Sequence, residues 1–162
     1  MSSHHTRAAR QDDTFVMEQI MRDAFEASYV HFMPEQYIRE WYDNNTAQKT
    51  VRMGLDRAGI VEIMGRVVGF VIYYDNSITE LWVEPKYWEQ GAGTALVEWV
   101  EAEYRKKGYP TITMYCYESN INTLDFLKKN RFRRASQHFS NDVSGGPVVV
   151  YNMLKMVRKL KG

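Results

Sequence analysis

The sequence predicts an α/β protein, α+β in detail: one mixed sheet with helices on both faces. Three observations carry that prediction. Between Ile60 and Val83, β-branched and aromatic residues fall into three runs separated only by short turn sequences, so consecutive strands there pair as antiparallel hairpins. Elsewhere apolar residues recur at helical spacing between strand-like runs, which joins strands through helices and makes those strands parallel. Gly91-Ala92-Gly93 marks the passage from one such strand into a helix, where the backbone turns tightly and approaches a ligand closely.

The elements follow in order. Thr6 to Ala9 is a short strand, and Asp12-Asp13-Thr14 offers an N-cap to a helix whose apolar face uses Phe15, Val16, Ile20, Met21 and Phe25. A second helix starts after Pro34 with Tyr37, Ile38, Trp41 and Tyr42, and Asp43-Asn44-Asn45 ends it. Ile60 to Met64, Val67 to Tyr74 and Ile78 to Val83 are strands, with Gly65-Arg66 and Asp75-Asn76-Ser77 as their turns. From about Thr94 to Lys107, Leu96, Val97, Val100 and Tyr104 share a helical face; Gly108 is the C′ residue, and Lys106 and Lys107 oppose the helix dipole. Thr111 to Tyr117 is a strand, Asn120 to Lys129 a helix with Leu124 and Leu127 inward, and Phe132 to Phe139 and Val148 to Met156 the last strands. A polar, glycine-rich loop over Ser140 to Pro147 connects those two. The final strand either completes its own sheet or pairs across a homodimer. The predicted order is βααβββαβαββ.

A chain of 162 residues, 44% hydrophobic and 14% aromatic, suits one domain over residues 1–162 with a substantial core. No repeat or low-complexity tract interrupts it. Lys and Arg total 21 against 20 Asp and Glu, so a net charge of +1 gives no global case for nucleic acid or an anionic membrane. The single cysteine, Cys116, excludes an internal disulfide framework and a cysteine-based zinc cage, and it suits a reducing cytoplasm. Val67 to Tyr74 is too short an apolar run to span a bilayer, and Met1 to Arg10 has no signal-peptide core, so a soluble, unprocessed protein is expected. His4-His5 has no carboxylate or thiol partner nearby in sequence, and no metal site is expected.

Spacing narrows what the glycine turn binds. A P-loop needs Gly-x-x-x-x-Gly-Lys-Ser/Thr, but Gly93 is followed by Thr94-Ala95. A dinucleotide fingerprint needs a third glycine where Leu96 stands, and Glu84 to Gln90 separate the turn from its strand.

The run Val83-x-Pro85-x-Tyr87-x-x-x-Gly91-x-Gly93-Thr94-Ala95-Leu96 resembles motif A of the GCN5-related N-acetyltransferases, here about residues 78–107. Asn120-x-x-Thr123-x-x-Phe126-Leu127-x-Lys129-x-x-Phe132 is similar to that family's next motif, about residues 111–132. The opening Thr-Arg-Ala-Ala-Arg-Gln-Asp-Asp resembles its first strand and turn, so the likeness covers nearly the whole chain. It implies an acyl-CoA N-acyltransferase-like fold, acetyl-CoA (or coenzyme A) as cofactor, and a primary amine on a small molecule or peptide as acceptor, attacking directly in a ternary complex. It also implies that the backbone across Glu89, Gln90, Gly91, Ala92, Gly93 and Thr94 holds the pyrophosphate, aided by the helix dipole. Leu81, Trp82 and Val83 would splay from the next strand and bond the pantetheine arm, with an N–H near Val83 for the oxyanion. Asn120, Phe126 and Lys129 match positions that touch the cofactor.

Three positions depart from the family pattern. Trp88 replaces the Arg or Gln of motif A, Leu127 stands where a tyrosine commonly protonates the leaving thiolate, and Arg131 replaces a glycine. A leucine donates no proton, so the acid must come from elsewhere. Acyl transfer also needs a neutral amine, whereas a lysine-like amine has a pKa of about 10.4. Glu80 is the candidate base, because alternation places it on one strand face with Ile78 and Trp82, where burial raises its pKa. Tyr115 is the candidate acid, with Tyr117 and Cys116 as neighbours on its strand, and His138 stands alone before the polar loop. Aromatic residues around Tyr29 to Met33 are candidates to line the acceptor pocket. The alternative reading is a coenzyme A-binding module without catalysis.

Overall fold

A computed structural model describes residues 3–142 and 149–160. Strand β1 (His4–Ala8) leads through a 3-10 turn into α1 (Thr14–Ser28), α2 (Glu35–Asp43) and α3 (Thr46–Gly54). Strands β2 (Ala58–Ile63), β3 (Arg66–Tyr74) and β4 (Ser77–Val83) follow, then α4 (Ala92–Lys107), β5 (Thr111–Tyr117), α5 (Ile121–Lys129), β6 (Arg133–Asp142) and β7 (Val149–Lys159). One seven-stranded sheet has the order β1-β2-β3-β4-β5-β7-β6. Among the described residues only β4 and β5 pair in parallel; the other neighbours are antiparallel. The β2–β3 turn uses Met64 and Gly65, both with positive φ (53° and 78°), which is the two-residue turn whose twist matches the strands.

Two cores flank the sheet. On one face Leu96, Val97, Val100 and Tyr104 of α4 and Leu124 and Leu127 of α5 pack on Val61, Val68, Val71, Ile112 and Met114. On the other, Met17, Ile20, Met21 and Phe25 of α1, Trp41 of α2 and Val51 of α3 pack on Ile60, Phe70 and Ile72. Each buried large apolar side chain contributes about 1.5–3 kcal/mol. Gly108 closes α4 as expected at φ 77°, with the Tyr109 N–H donating to the Tyr104 carbonyl at 3.0 Å.

Several expectations change. Helix α3 was not foreseen, because Asn45 reads as a terminator; with φ 51° it is instead a left-handed joint from which a new helix starts. The observed order is therefore βαααβββαβαββ. Phe15 is 79% exposed and Val16 is also exposed, so the apolar face of α1 is Met17, Ile20, Met21, Ala24 and Phe25, one step round the helix from the expected one. Asp13 makes no side-chain cap to α1: its carboxylate takes two bonds from Arg7 at 2.8 and 3.0 Å and one from the Arg10 N–H at 2.7 Å. Helix α4 begins at Ala92 rather than Thr94. Strands β1 and β2, although joined through helices, are antiparallel, because the helical excursion returns the chain to the end it left, with Ala8 opposite Gly59. Strand β7 lies between β5 and β6, paired on both sides, so it completes its own sheet and offers no open edge to a second copy. Of the expected loop over Ser140 to Pro147, residues through Asp142 belong to β6, and 143–148, with the expected strand start Val148, lie outside the described residues. The side chain of His138 does too. No helix among the described residues is long and apolar enough to cross a membrane.

Candidate active site

Strands β4 and β5 pair only at Ser77–Thr113 and Ile78–Met114 and then separate. A bulge starts the divergence. The register against β3 runs Tyr73–Ile78 and then Ile72–Glu80, which leaves Thr79 unpaired on β4. Ile78 accordingly faces the α4 core, while Glu80 faces the α1 side with Ile72, its cross-strand partner. This corrects the expected grouping of Glu80 with Ile78: the extra residue inverts the alternation. Trp82 does share the face of Glu80, and its indole N–H donates to Glu80 Oε1 at 2.9 Å.

Beyond the bulge, the Glu84 N–H donates to the Val68 carbonyl at 2.8 Å, and the hydrogen-bonded pairs with β3 then fall at every second residue, Trp82 and Glu80. The backbone groups of Leu81 and Val83 therefore point away from β3, into the gap that β5 has left. The Val83 carbonyl is taken by the Trp88 indole N–H at 2.7 Å. Trp88, standing where the family pattern has Arg or Gln, thus ties the end of β4 to the following turn.

Glu80 is half-buried, and burial pushes its carboxyl from the ordinary 4.5 up to about 7, with the Trp82 N–H pulling the other way. Beside it, Tyr29 stacks on the fully buried Phe25 at 5.2 Å between centroids and lies 5.6 Å from Trp82, 5.0 Å from Phe32 and 6.3 Å from Tyr117. Burial, with Tyr37, Glu80, Cys116 and Tyr117 nearby, holds the Tyr29 phenol well above its usual pKa. Tyr115, the expected acid, is 46% exposed, two residues before Tyr117 on the same strand face. Cys116 points the other way, into the α4 core, and burial pushes its thiol up to about 12, so it supplies no thiolate.

The glycine turn lies at the end of β4. Glu89 and Gly91 have φ of 63° and 88°, and the Gln90 side chain donates to the Lys86 carbonyl at 3.1 Å. Gly91 is the N-cap of α4 and has no side chain with which to cap, so the first N–H groups of Ala92, Gly93 and Thr94 have no intrahelical acceptor. A side chain at Gly93 would meet the Phe126 ring at 2.7 Å, which packs α5 against the start of α4. Those open N–H groups and the helix dipole fit a polyanion such as a pyrophosphate. Buried Asn120 caps the start of α5 through its backbone, and Lys129 is exposed in the last turn of that helix. Leu127 is fully buried. Arg131 takes over the glycine position after α5 with φ 67°. A cavity of about 580 Å³, lined by His4, Thr6, Gly91, Thr94, Glu98 and Trp99 among others, opens between β1 and α4, across the sheet from Glu80. Among the described residues no group of three or more His, Cys, Asp or Glu side chains is placed to hold a metal.

The sequence grouped Glu80, the Leu81–Val83 backbone and the glycine turn, and the structure brings these to one end of β4. It did not reveal the bulge at Thr79, the Trp88–Val83 bond or the place of Phe32 beside Tyr117. The Gly-x-Gly spacing together with Phe126 was the available sign of the α4–α5 contact.

A search of curated proteins finds no match. Solved structures share the fold. A GCN5-related N-acetyltransferase from Rhodopseudomonas palustris is 20% identical with a TM-score of 0.79, over 99% of this chain and 98% of that one. The PaiA N-acetyltransferase of Thermoplasma acidophilum, in complex with coenzyme A, is 20% identical with a TM-score of 0.74, over 97% and 99%. The ribosomal-protein-S18-alanine N-acetyltransferase of Escherichia coli is 18% identical with a TM-score of 0.70, over 99% and 96%. The family model for acetyltransferases of the GNAT family matches residues 16–132, which contain the bulged strand, the glycine turn and α5, and the chain belongs to that family.

Proposed function

We propose that this chain, acting as one domain, is an acetyl-CoA-dependent N-acetyltransferase that moves an acetyl group to a primary amine by direct attack in a ternary complex. Family membership supports the cofactor, as does the coenzyme A bound to the Thermoplasma relative. The observation that carries the reading is the gap beyond Ile78, with a proton-accepting carboxylate on one wall, backbone amides of Leu81 and Val83 in the opening, and an uncapped helix N-terminus at its end.

Bound acetyl-CoA supplies the thioester. The N–H groups of Ala92, Gly93 and Thr94 hold its phosphates, and the backbone around Glu89 and Gln90 shapes that turn. Asn120, Phe126 and Lys129 border the same region from α5. Leu81 and Val83 orient the arm, and the Val83 N–H donates to negative charge that develops at the carbonyl oxygen. Glu80 takes the proton from the incoming ammonium, directly or through one water, which a group titrating near 7 does well at neutral pH. A tyrosine of β5, Tyr115 or its neighbour Tyr117, returns a proton to the departing thiolate in place of Leu127.

Thiol release from acetyl-CoA with a panel of amines tests this, alongside calorimetric binding of coenzyme A. Tight binding with no turnover of any polyamine, aminoglycoside, amino acid or peptide amine would favour the non-catalytic module. The full burial of Leu127, where a proton donor is common, is what speaks for that second reading.

A further inference from the structure

Glu80 and Trp82 stand two residues apart on one face of β4, beyond the bulge at Thr79, which sets their Cα atoms about 7 Å apart along the strand. The indole bridges that separation, and its N–H meets Glu80 Oε1 at 2.9 Å. Packing holds the ring in place. Its cross-strand partner on β3 is the fully buried Phe70, and Tyr29 lies 5.6 Å away between centroids. Tyr29 is itself stacked on Phe25, which stacks on Trp41 at 3.8 Å. The donor is therefore fixed by its surroundings and does not swing with the carboxylate.

The two oxygens of Glu80 are not equivalent. Oε1 accepts the indole N–H, whereas among the described residues no hydrogen bond reaches Oε2. Sealed polar atoms without a partner occur in this chain, Glu18 Oε2 among them, but Glu80 Oε2 keeps contact with solvent. A donor locked on Oε1 favours the ionised carboxylate and, once a proton is taken up, leaves Oε1 as the carbonyl oxygen.

Resting on the acetyltransferase reading, we propose that Trp82 is a positioning residue: its indole N–H fixes the Glu80 carboxyl so that Oε2 is the oxygen that takes the proton of the acceptor ammonium. The N–H bond of the ammonium breaks as the Oε2–H bond forms, and Oε2 later passes the proton to water. The competing explanation is purely structural, since a half-buried indole needs an acceptor whatever the carboxylate does. That explanation predicts lost stability with the titration of Glu80 unmoved. Other titratable groups surround the pair: Tyr29 and His31 from the turn after α1, Tyr37 from α2, Tyr115, Cys116 and Tyr117 from β5, and Lys155 of β7, paired with Tyr115. All of them stay in place when the indole N–H alone is removed, so that comparison isolates its effect.

Two variants of the full chain make the comparison. Trp82→Phe removes the N–H with part of the ring, and benzothienylalanine incorporated at the same position puts sulfur in place of the N–H and keeps the shape. NMR of isotope-labelled glutamate follows the Glu80 carboxyl through its titration without any ligand. Thiol release from acetyl-CoA with spermidine, kanamycin, lysine and a lysyl peptide gives kcat/KM against pH. Both variants should raise the carboxyl midpoint by about one pH unit, because the lost bond favoured the ion. The acid limb of kcat/KM should move up equally, and kcat on the alkaline plateau should fall about 10-fold with coenzyme A affinity unchanged. An unmoved midpoint in the benzothienylalanine variant overturns the inference, and so does a raised midpoint with kcat on the plateau at the wild-type value. A raised midpoint in a protein that releases thiol with none of the four amines supports the hold of Trp82 on Glu80 and overturns the acetyltransferase reading instead.

Discussion

Replacing Glu80 with glutamine removes a proton-binding group while preserving its shape and an oxygen that still accepts the Trp82 N–H. In the wild type the carboxyl titrates near 7 when folded, against 4.5 when free of the fold. Below 4.5 it is protonated in both states and contributes no difference. Between 4.5 and 7 the folded state keeps the proton that the unfolded state loses, so stability falls as pH rises through that window and is level above it. The whole fall is at most about 3 kcal/mol. Glutamine has no such slope. The melting temperature of Glu80→Gln relative to wild type should therefore climb between pH 4.5 and 7.5, by on the order of 5–10 °C for a chain of this size. Activity should move the opposite way. Wild-type kcat/KM should rise with pH as Glu80 ionises near 7, and the variant should lose that limb together with about 10²–10⁴ in rate. Thermal melts across pH and thiol-release profiles of both proteins provide the comparison. Melting curves that stay parallel at every pH would show that Glu80 is an ordinary solvated carboxylate, and the base assignment would fall with it.

Other substitutions probe other parts. Gly93→Ala drives a methyl into the Phe126 ring and should cost about 1–3 kcal/mol on thermal unfolding and weaken coenzyme A binding; pairing it with Phe126→Leu should recover part of the stability. Trp88→Phe keeps the ring but loses the bond to the Val83 carbonyl, worth about 1 kcal/mol, so the KM for acetyl-CoA should rise several-fold with kcat little changed. Arg7→Met leaves Asp13 without its guanidinium, which now holds that carboxyl below its usual range. The loss, about 1–3 kcal/mol at pH 7, should vanish in acid as Asp13 protonates, so denaturation midpoints at pH 7 and below pH 3 decide it. Arg131→Gly relieves a left-handed arginine and should stabilise the fold by about 0.5–1 kcal/mol, read as a slightly higher melting temperature.

What the sequence made legible was periodic or punctuated. The meander from Ile60 to Val83 and the helix closed by Gly108 follow from alternation, helical spacing and a C′ glycine, each a local signal. What it hid depended on a single residue out of step or on a distant partner. Thr79 has ordinary strand propensity, and only pairing with β3 shows that it is the extra residue that turns Glu80 away from Ile78. Asn45 looks like a stop until its left-handed φ makes it a joint. Asp13 reads as a cap because the demand of Arg7 for a bidentate partner is not written near it. At the site, the glycine turn and Glu80 were readable, whereas the place of Tyr29 and Phe32 beside Tyr117 depended on how the turn after α1 meets β5.

The brief contact between β4 and β5 also has a mechanical meaning. The sheet is two slabs, β1 to β4 and β5 with β7 and β6, stitched edge to edge by two residue pairs and backed by α4 and α5. A ligand whose amide-bearing arm lies between them replaces the missing rungs of the ladder. Cofactor binding should then do more than fill a groove: it completes the sheet, and the amides flanking the seam should gain the slow hydrogen exchange of a continuous one.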